Sequence, residues 1–129
     1  MSLTARESAY SVAETVDRIV AAVERRGAQV FIRIDHAGAA RAVGLELADE
    51  ELLVFGDPSV GTLLMQADPQ IGYELPLRLL VWDAAGRTMI AYRAPTSLAA
   101  EYTVGECSEV LERMGGLLAS LVEESTAGP

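Results

Sequence analysis

The chain has 129 residues, half of them apolar, with ten basic and 19 acidic residues and a formal net charge of −9. This length predicts a single domain over residues 1–129 with one core, and about 1–5 and 125–129 are expected to be disordered tails. The acidic balance argues against nucleic acid and anionic membrane surfaces as partners, and no apolar run approaches the ~18 residues that span a bilayer.

The first half of the chain alternates helices with strands. Residues 11–26 predict a helix, with Ser11 and Glu14 as a capping box and Gly27 as its left-handed end. The residues before Ser11 suggest an edge strand. A strand is predicted over 28–36, followed by a short alanine-rich helix over 37–44. The run ELLVFG, residues 51–56, is continuously apolar, which is typical of an interior strand covered on both faces.

The second half adds a hairpin and a long last helix. A short helix follows residue 56, and Asp68 with Pro69 begins another helical turn. Residues 75–93 predict a β-hairpin whose turn runs from Asp83 to Gly86. A short helix is predicted over 95–102, with Thr96 as its N-cap. The last helix covers 106–124; its apolar stripe is broad, and Gly115–Gly116 interrupts it.

The turn VFGDPSVGT has the spacing of a phosphate-binding P-loop but lacks its lysine. Gly56 and Gly61 are separated by four residues and Thr62 supplies a hydroxyl, yet the chain contains no lysine at all. Asp57 also places a negative charge where a phosphate would bind. We therefore predict no nucleoside triphosphate site. A structural strand-to-helix turn is favoured, in which the glycines serve as backbone joints, and a weak anion site made of helix amides is the alternative.

Several segments of the chain resemble one protein family. They are VFIRIDHAGAARAVGLEL, LLVFGDPSVGTLLMQADPQIGYELPLRLLVW and YRAPTSLAAEY, and together they resemble the bacterial and archaeal domain of unknown function 302 over nearly the whole chain. The resemblance implies an α+β fold, a single two-layer sandwich with helices packed on a mixed or antiparallel sheet of four to five strands. It implies no activity. Leu63 stands where many members have proline, and Tyr102 lies near a position where many have histidine.

Asp35 and His36 are the second candidate site. A histidine beside a carboxylate at a strand end is a possible acid–base pair, but adjacent strand residues point to opposite faces. His36 is the single histidine of the chain, which also has one cysteine. Neither residue type alone therefore provides a metal site, and we expect no metal and no cofactor. The candidate ligand-binding residues are Asp35, His36, Gly56, Pro58, Gly61, Thr62 and Trp82.

Three classes of function remain open. The favoured one is a small-ligand-binding or sensing domain with a pocket near His36, the Gly56–Thr62 turn and Trp82, which are expected to lie close together. The alternatives are a dimeric protein-interaction module and, less favoured, an acid–base enzyme using Asp35 and His36. The chain is expected in the cytoplasm because its start lacks a signal peptide. A homodimer is expected from the high apolar content, with the last helix or the sheet as the contact surface.

Overall fold

The computed structural model describes residues 3–129, and Met1 and Ser2 lie outside the described part. It contains five strands and four α-helices within that range, joined by short 3₁₀ segments. The strands are β1 (Thr4–Ser8), β2 (Gln29–Asp35), β3 (Glu50–Gly56), β4 (Leu77–Ala84) and β5 (Arg87–Tyr92). The helices are α1 (Val12–Arg25), α2 (His36–Ala42), α3 (Pro58–Ala67) and α4 (Ser108–Thr126). The 3₁₀ segments are Pro69–Tyr73, Pro95–Ala100 and Gly105–Cys107.

The strands form one antiparallel sheet in the order β1-β5-β4-β3-β2. All four neighbouring pairs are antiparallel, and the two central pairings join β3 to β4 and β4 to β5. The N-terminal strand β1 lies at one edge, as the sequence suggested, and pairs with the end of the hairpin. The predicted α+β sandwich of four to five strands is therefore confirmed, and its sheet is antiparallel throughout.

Helices α1 and α4 cover one face of the sheet and form the core with it. Side chains at alternate strand positions, among them Leu53, Phe55, Leu79 and Val81, are fully buried. The apolar stripe of α1 meets them, since Val16, Ile19 and Val23 are also fully buried. The buried apolar residues of α4 are Val110, Leu111, Met114, Leu118, Leu121 and Val122. The broad stripe of the last helix is thus used inside the monomer, which removes the reason for expecting this helix as a dimer contact.

The helix ends follow the local chemistry in most places. The Ser11 hydroxyl accepts a hydrogen bond from the Glu14 amide at 3.2 Å, and Gly27 has a φ of +74° after α1. Asp68 caps the 3₁₀ segment by accepting from the Gln70 amide at 3.0 Å. The segment from Pro95 differs from its prediction: it is a 3₁₀ segment whose N-cap position is Ala94, which provides no side-chain cap, and Thr96 does not cap it.

Part of each predicted tail belongs to a regular element, while Met1 and Ser2 of the first tail lie outside the described residues. Thr4 and Ala5 belong to β1, and Ser125 and Thr126 lie in the last turn of α4, where both are buried. The Ala9 amide donates to the Thr126 carbonyl at 2.9 Å, which ties the end of α4 to the end of β1. Composition suggested disorder here because it does not reveal these long-range contacts.

The prediction that β3 is covered on both faces is wrong. Its residues alternate between buried and partly exposed, so that Leu53 and Phe55 face the helices while Leu52 and Val54 lie on the opposite face. The apolar run therefore contains two sets of side chains, which lie on opposite faces of the sheet. One set of side chains builds the core, and the other belongs to an apolar sheet face that α1 and α4 do not cover.

Candidate functional site

A cavity of about 330 Å³ opens at the end of the sandwich where β3 finishes and β4 starts. We call it the end pocket. Its walls come from the segment between α1 and β2, from β2, the end of β3, α3 with the turn before it, the start of β4 with the segment before it, and α4. The lining residues are Arg26, Ala28, Phe31, Gly56, Asp57, Pro58, Val60, Gly61, Met65, Leu75, Pro76, Leu77, Arg113, Met114 and Leu117. The set is mainly apolar, as is usual for a site that holds a small organic molecule.

The two glycines of the P-loop-like turn make room in this pocket. Neither has a positive φ, so the backbone conformation of the turn does not require glycine at either position. A Cβ on Gly56 would lie 3.5 Å from Cβ of Pro76, and a Cβ on Gly61 would lie 3.6 Å from Cδ1 of Leu75. The absence of side chains at these two positions keeps the pocket wall open.

The start of α3 does not provide a phosphate cradle. Pro58 has no amide hydrogen, and the Ser59 amide donates to Oδ1 of Asp57 at 2.9 Å. The amides of Val60 and Gly61 both donate to the Asp57 carbonyl, at 2.9 and 3.0 Å. The Asp57 carboxylate thus occupies the helix N-terminus itself, and hydrogen bonds from the Ser59 hydroxyl and amide hold its pKa below the usual value. This arrangement excludes both the P-loop and the amide anion site.

Two arginines border the end pocket. Arg26 is engaged, since its Nη2 donates to Oε2 of Glu124 at 2.8 Å and its Nη1 to the Ala22 carbonyl at 3.3 Å. Arg113 on α4 makes no hydrogen bond or ion pair with any residue of the described range. The pocket therefore combines an apolar body with one exposed guanidinium whose donors are free.

The structure brings together only part of the predicted site. Gly56, Pro58 and Gly61 line the end pocket, whereas Thr62 is exposed and outside its wall. Asp35 pairs with Glu51, and Gln29, at the opposite end of β2, pairs with Gly56. The two places are five positions apart along β3, from Glu51 to Gly56, or about 17 Å at the usual rise of a strand.

Asp35, His36 and Trp82 lie at the far end of the sheet. Trp82 pairs with Glu50 at the start of β3, away from the end pocket. The expectation that His36 and the Gly56–Thr62 turn share one site is therefore wrong, because β2 and β3 are antiparallel neighbours and the two segments leave opposite ends. Asp35 caps α2 by accepting from the Gly38 amide at 2.9 Å, and no hydrogen bond joins Asp35 to His36 within the described residues.

A polar cluster around Glu74 was not predicted from the sequence. Glu74, with a side chain only 10% exposed, receives Arg93 Nη1 at 2.9 Å on Oε1 and the Tyr102 hydroxyl at 3.0 Å on Oε2. Partial burial, followed by the hydrogen bond to this carboxylate, raises the pKa of Tyr102. The cluster borders a second cavity of about 300 Å³ beside Arg78. Glu74 directly precedes the LPLR stretch, but nothing local indicated its partners, which are 19 and 28 positions away.

The sequence of the chain also matches the model of a known protein family. The family model described as "Domain of unknown function DUF302" matches residues 4–121. The chain belongs to the DUF302 family. A crystal structure of a DUF302 protein from Bacillus stearothermophilus superposes with a TM-score of 0.86 and covers 97% of this chain and 98% of that one. At 20% sequence identity this likeness shows the fold alone.

Curated relatives of this DUF302 chain are longer proteins from Brucella. It is 42% identical over 105 residues to "Fluoride-specific ion channel FluC 1" of Brucella suis and of Brucella abortus, a stretch that covers 81% of this chain. The chain spans only 41% and 39% of the length of those two proteins. Within residues 3–129, no helix has the length and apolar character needed to cross a membrane.

Proposed function

We propose that this DUF302 domain binds a small, largely apolar molecule carrying one anionic group in the end pocket. The single observation behind the proposal is the composition of the pocket: an apolar cavity of about 330 Å³ with Arg113, which has no partner among residues 3–129, at its wall. Its size falls within the range of small-molecule sites, and its apolar lining matches theirs. Gly56 and Gly61 support the same interpretation, because they have no side chains and so leave the pocket wall open.

The anionic group is proposed from the charges at the pocket. Arg113 has free donors, whereas the nearby carboxylate of Asp57 is bound to Ser59 at 2.6 and 2.9 Å and is directed at its own helix. A carboxylate on the ligand would pair with Arg113 by two parallel hydrogen bonds, the geometry that guanidinium groups favour. The body of the ligand would then lie against Phe31, Met65 and Leu117.

Binding is favoured over catalysis because the pocket lacks an acid–base pair. Its ionisable lining groups are Asp57, Arg26 and Arg113, and the two arginines stay protonated at all ordinary pH values. Asp57 is an ionised N-cap whose lowered pKa makes it a weak base. The former candidates Asp35 and His36 lie at the other end of the sheet.

Calorimetric titration with decanoate tests the proposal, with decanol and decyltrimethylammonium as uncharged and cationic probes of similar length. Decanoate is expected to bind the wild type more tightly than either probe. Arg113→Gln should weaken decanoate about tenfold, the loss of one charge-assisted contact, and leave decanol unchanged. Gly61→Leu should abolish binding of both because its side chain enters the pocket.

Gly116→Leu is the matched control for Gly61→Leu. Gly116 also lies in a helix, but no atom lies within 4 Å of the position its Cβ would take. Decanoate binding should therefore survive this change. Equal binding of decanoate to the wild type and Gly61→Leu would place the interaction outside the pocket and contradict the proposal.

A second candidate role is suggested by the Brucella relatives, since a 42% identical segment occupies only 41% of the Brucella suis protein. We propose that the domain is an accessory module that works beside a fluoride channel, in the cytoplasm. Deleting the matched segment from the Brucella suis protein should leave fluoride efflux from loaded liposomes intact, measured with a fluoride electrode. Loss of efflux in a folded, membrane-inserted deletion would contradict a separate accessory role. Fractionation of cells expressing this chain would check the cytoplasmic location.

A further inference from the structure

The sheet face opposite α1 and α4 has a central apolar row across all five strands; Ala91 in this row is buried, at 2% exposed, and the other members are partly or fully exposed. Direct pairing places Ile34, Leu52, Leu80, Ala91 and Ala5 in one continuous row. On one side of this central row lie Ile32, Val54 and Arg78, and on the other lie Glu50, Trp82, Met89 and Glu7. Ile32 is half exposed, at 50%. Contiguous apolar surface of this kind usually marks a contact surface.

We propose that this face is the interface of a homodimer in which two copies pack sheet to sheet. The charges on the face favour a second copy as the occupant. The three rows carry Arg78, Glu7 and Glu50, and Arg87 in the next row, opposite Ala84, pairs with Glu7 at 2.6 Å, so two positive and two negative groups give a net charge of zero. The whole chain has a net charge of −9. A neutral apolar face on a strongly acidic molecule allows two copies to approach where the rest of their surface would repel.

A two-fold axis along the central row pairs these charges. The axis lies between the two sheets and is parallel to the central row, so the Leu52–Leu80 row of one subunit faces the same row of its partner. The row of Arg78 then faces the partner's row of Glu50 and Trp82. Arg78 would then face the partner's Trp82, with a lateral offset of one strand spacing, about 4.8 Å, from the partner's Glu50, which its long side chain could reach.

Both charged groups are available for this contact. The Arg78 side chain is 52% exposed and reaches Glu74 only at 4.0 Å, while Glu50 has no hydrogen bond or ion pair with any of residues 3–129. In the monomer they lie on adjacent strands, two rows apart, so they cannot pair with each other. In the dimer, Arg78 of each subunit would pair with the partner's Glu50, so that one such pair forms on each side of the axis.

The size of the face agrees with a small stable dimer. Five strands at about 4.8 Å and three rows at about 6.8 Å span roughly 20 by 14 Å between the outermost Cα atoms. When the side chains that extend beyond these Cα atoms are included, the face measures several hundred Å² on each subunit. A face-to-face contact therefore buries about 1,200 Å² in total. Leu52, Leu80 and Arg78 of this face also border the second cavity, whose remaining wall includes the core residues Leu98 and Leu118.

Sedimentation equilibrium with charge-swapped variants tests the interface. The wild type is expected as a dimer of twice 13.7 kDa, or 27.4 kDa, at tens of micromolar. Arg78→Glu should raise the dissociation constant at least tenfold by placing two carboxylates together, and so should Glu50→Arg. The double variant, Arg78→Glu with Glu50→Arg, should restore the constant to within about threefold of the wild type, because the pair is re-formed with its signs exchanged.

Glu112→Arg on the exposed side of α4 is the control for Glu50→Arg and should leave the dimer unchanged. Circular dichroism of each variant shows whether it is folded, and the charge-swapped double variant keeps the test valid if one single variant unfolds. A wild-type monomer at tens of micromolar would overturn the proposal. So would a dimer that all three interface variants leave unchanged. Neither result bears on the end pocket, whose ligand is tested separately by calorimetry.

Discussion

At the residue scale, the pair of Arg33 and Glu51 shows how a charge is kept under the helices. Glu51 belongs to the buried face of β3, and its side chain is 11% exposed. Arg33 Nε donates to its Oε1 at 2.6 Å, while Nη1 of the same guanidinium donates to Asp17 on α1 at 2.6 Å. These contacts raise the pKa of Arg33, first through the hydrogen bond to Glu51. The guanidinium thus links the sheet to α1 where the apolar core ends.

Glu51→Gln should lower the free energy of unfolding by about 1–3 kcal/mol, because it removes the counter-charge from a half-buried guanidinium while keeping the side-chain shape. Urea unfolding followed by circular dichroism measures the change. Glu46→Gln, at an exposed position without a partner among the described residues, is the control and should stay within about 0.5 kcal/mol of the wild type. Equal effects of the two substitutions would show that the ion pair does not stabilise the fold.

The raised pKa of Tyr102 predicts that the stability of the fold depends on pH in the alkaline range. Its pKa is raised above 10.0 in the folded protein, first by partial burial and then by the Glu74 carboxylate, so the folded state holds the phenol proton more tightly than the unfolded state. The resulting stability is fully present below pH ~10 and is lost as the pH rises through the folded pKa. Tyr102→Phe should therefore be less stable than the wild type near neutrality, and the difference should shrink above pH ~10.

Absorbance of tyrosinate checks the same assignment independently. The chain has four tyrosines, and Tyr102→Phe should remove the late-titrating part of the wild-type curve. A Glu74→Gln variant should move that part to lower pH, since it removes a negative charge beside the phenol. A titration curve that is unchanged in both variants would contradict the role of the Glu74 cluster.

At the element scale, α4 runs through the Gly115–Gly116 pair that the sequence suggested as an interruption. Packing accounts for this, since Leu111, Met114 and Leu118 around the pair are buried against the core. The cost of two glycines in a helix is about 2 kcal/mol in total, which is less than the gain from burying several large apolar side chains. Intrinsic propensity is a weak guide where an apolar face has a surface to pack on.

Gly116→Ala should therefore raise stability by about 0.5–1 kcal/mol, because the helix is already formed and a Cβ at this position meets no atom within 4 Å. Thermal unfolding measures the effect as a rise in Tm. Gly27→Ala is the opposite case: Gly27 has a φ of +74°, where an L side chain is strained, and this variant should lose about 1 kcal/mol. Destabilisation by Gly116→Ala would indicate that the helix is broken there.

At the scale of the whole molecule, exposed ion pairs join segments distant in sequence. Glu124 near the end of α4 accepts from Arg25 and Arg26 at the end of α1, and Glu7 on β1 accepts from Arg87 on β5 at 2.6 Å. Hydrogen bonds from these arginines lower the pKa of both carboxyl groups. Their folded pKa values lie below the unfolded ones, so the stability they add is present above about pH 4.5 and is lost as the pH falls through the folded values.

Glu124→Gln should therefore lower Tm slightly at neutral pH and make it less sensitive to pH between about 5 and 3. Glu123→Gln is the control, since the neighbouring carboxylate has no partner among residues 3–129 and its loss should leave the pH profile as in the wild type. High salt should reduce the difference between the wild type and Glu124→Gln, because both partners are exposed. A parallel pH profile for the two variants would contradict the linkage.

The sequence by itself determined the features that depend on a few neighbouring residues. The 3.6-residue stripe of α1, its Ser11 cap, the hairpin turn and the helical turn after Asp68 were all predicted. In each case the controlling contacts lie within about four positions along the chain. The family resemblance added the two-layer fold and drew attention to Gly56, Pro58 and Gly61, which the structure places in the wall of the end pocket.

Only the tertiary structure decided which residues meet across the sheet. Strand order and register determine that His36 and Gly56 lie at opposite ends, that Arg113 borders the end pocket, and that Leu52 faces away from the core while Leu53 belongs to it. These placements depend on contacts between residues far apart in the chain, whose energies come from burial and pairing that local periodicity does not contain. The sequence shows that a strand residue is apolar but does not show which face of the sheet becomes the core. The packing of α1 and α4 decides that.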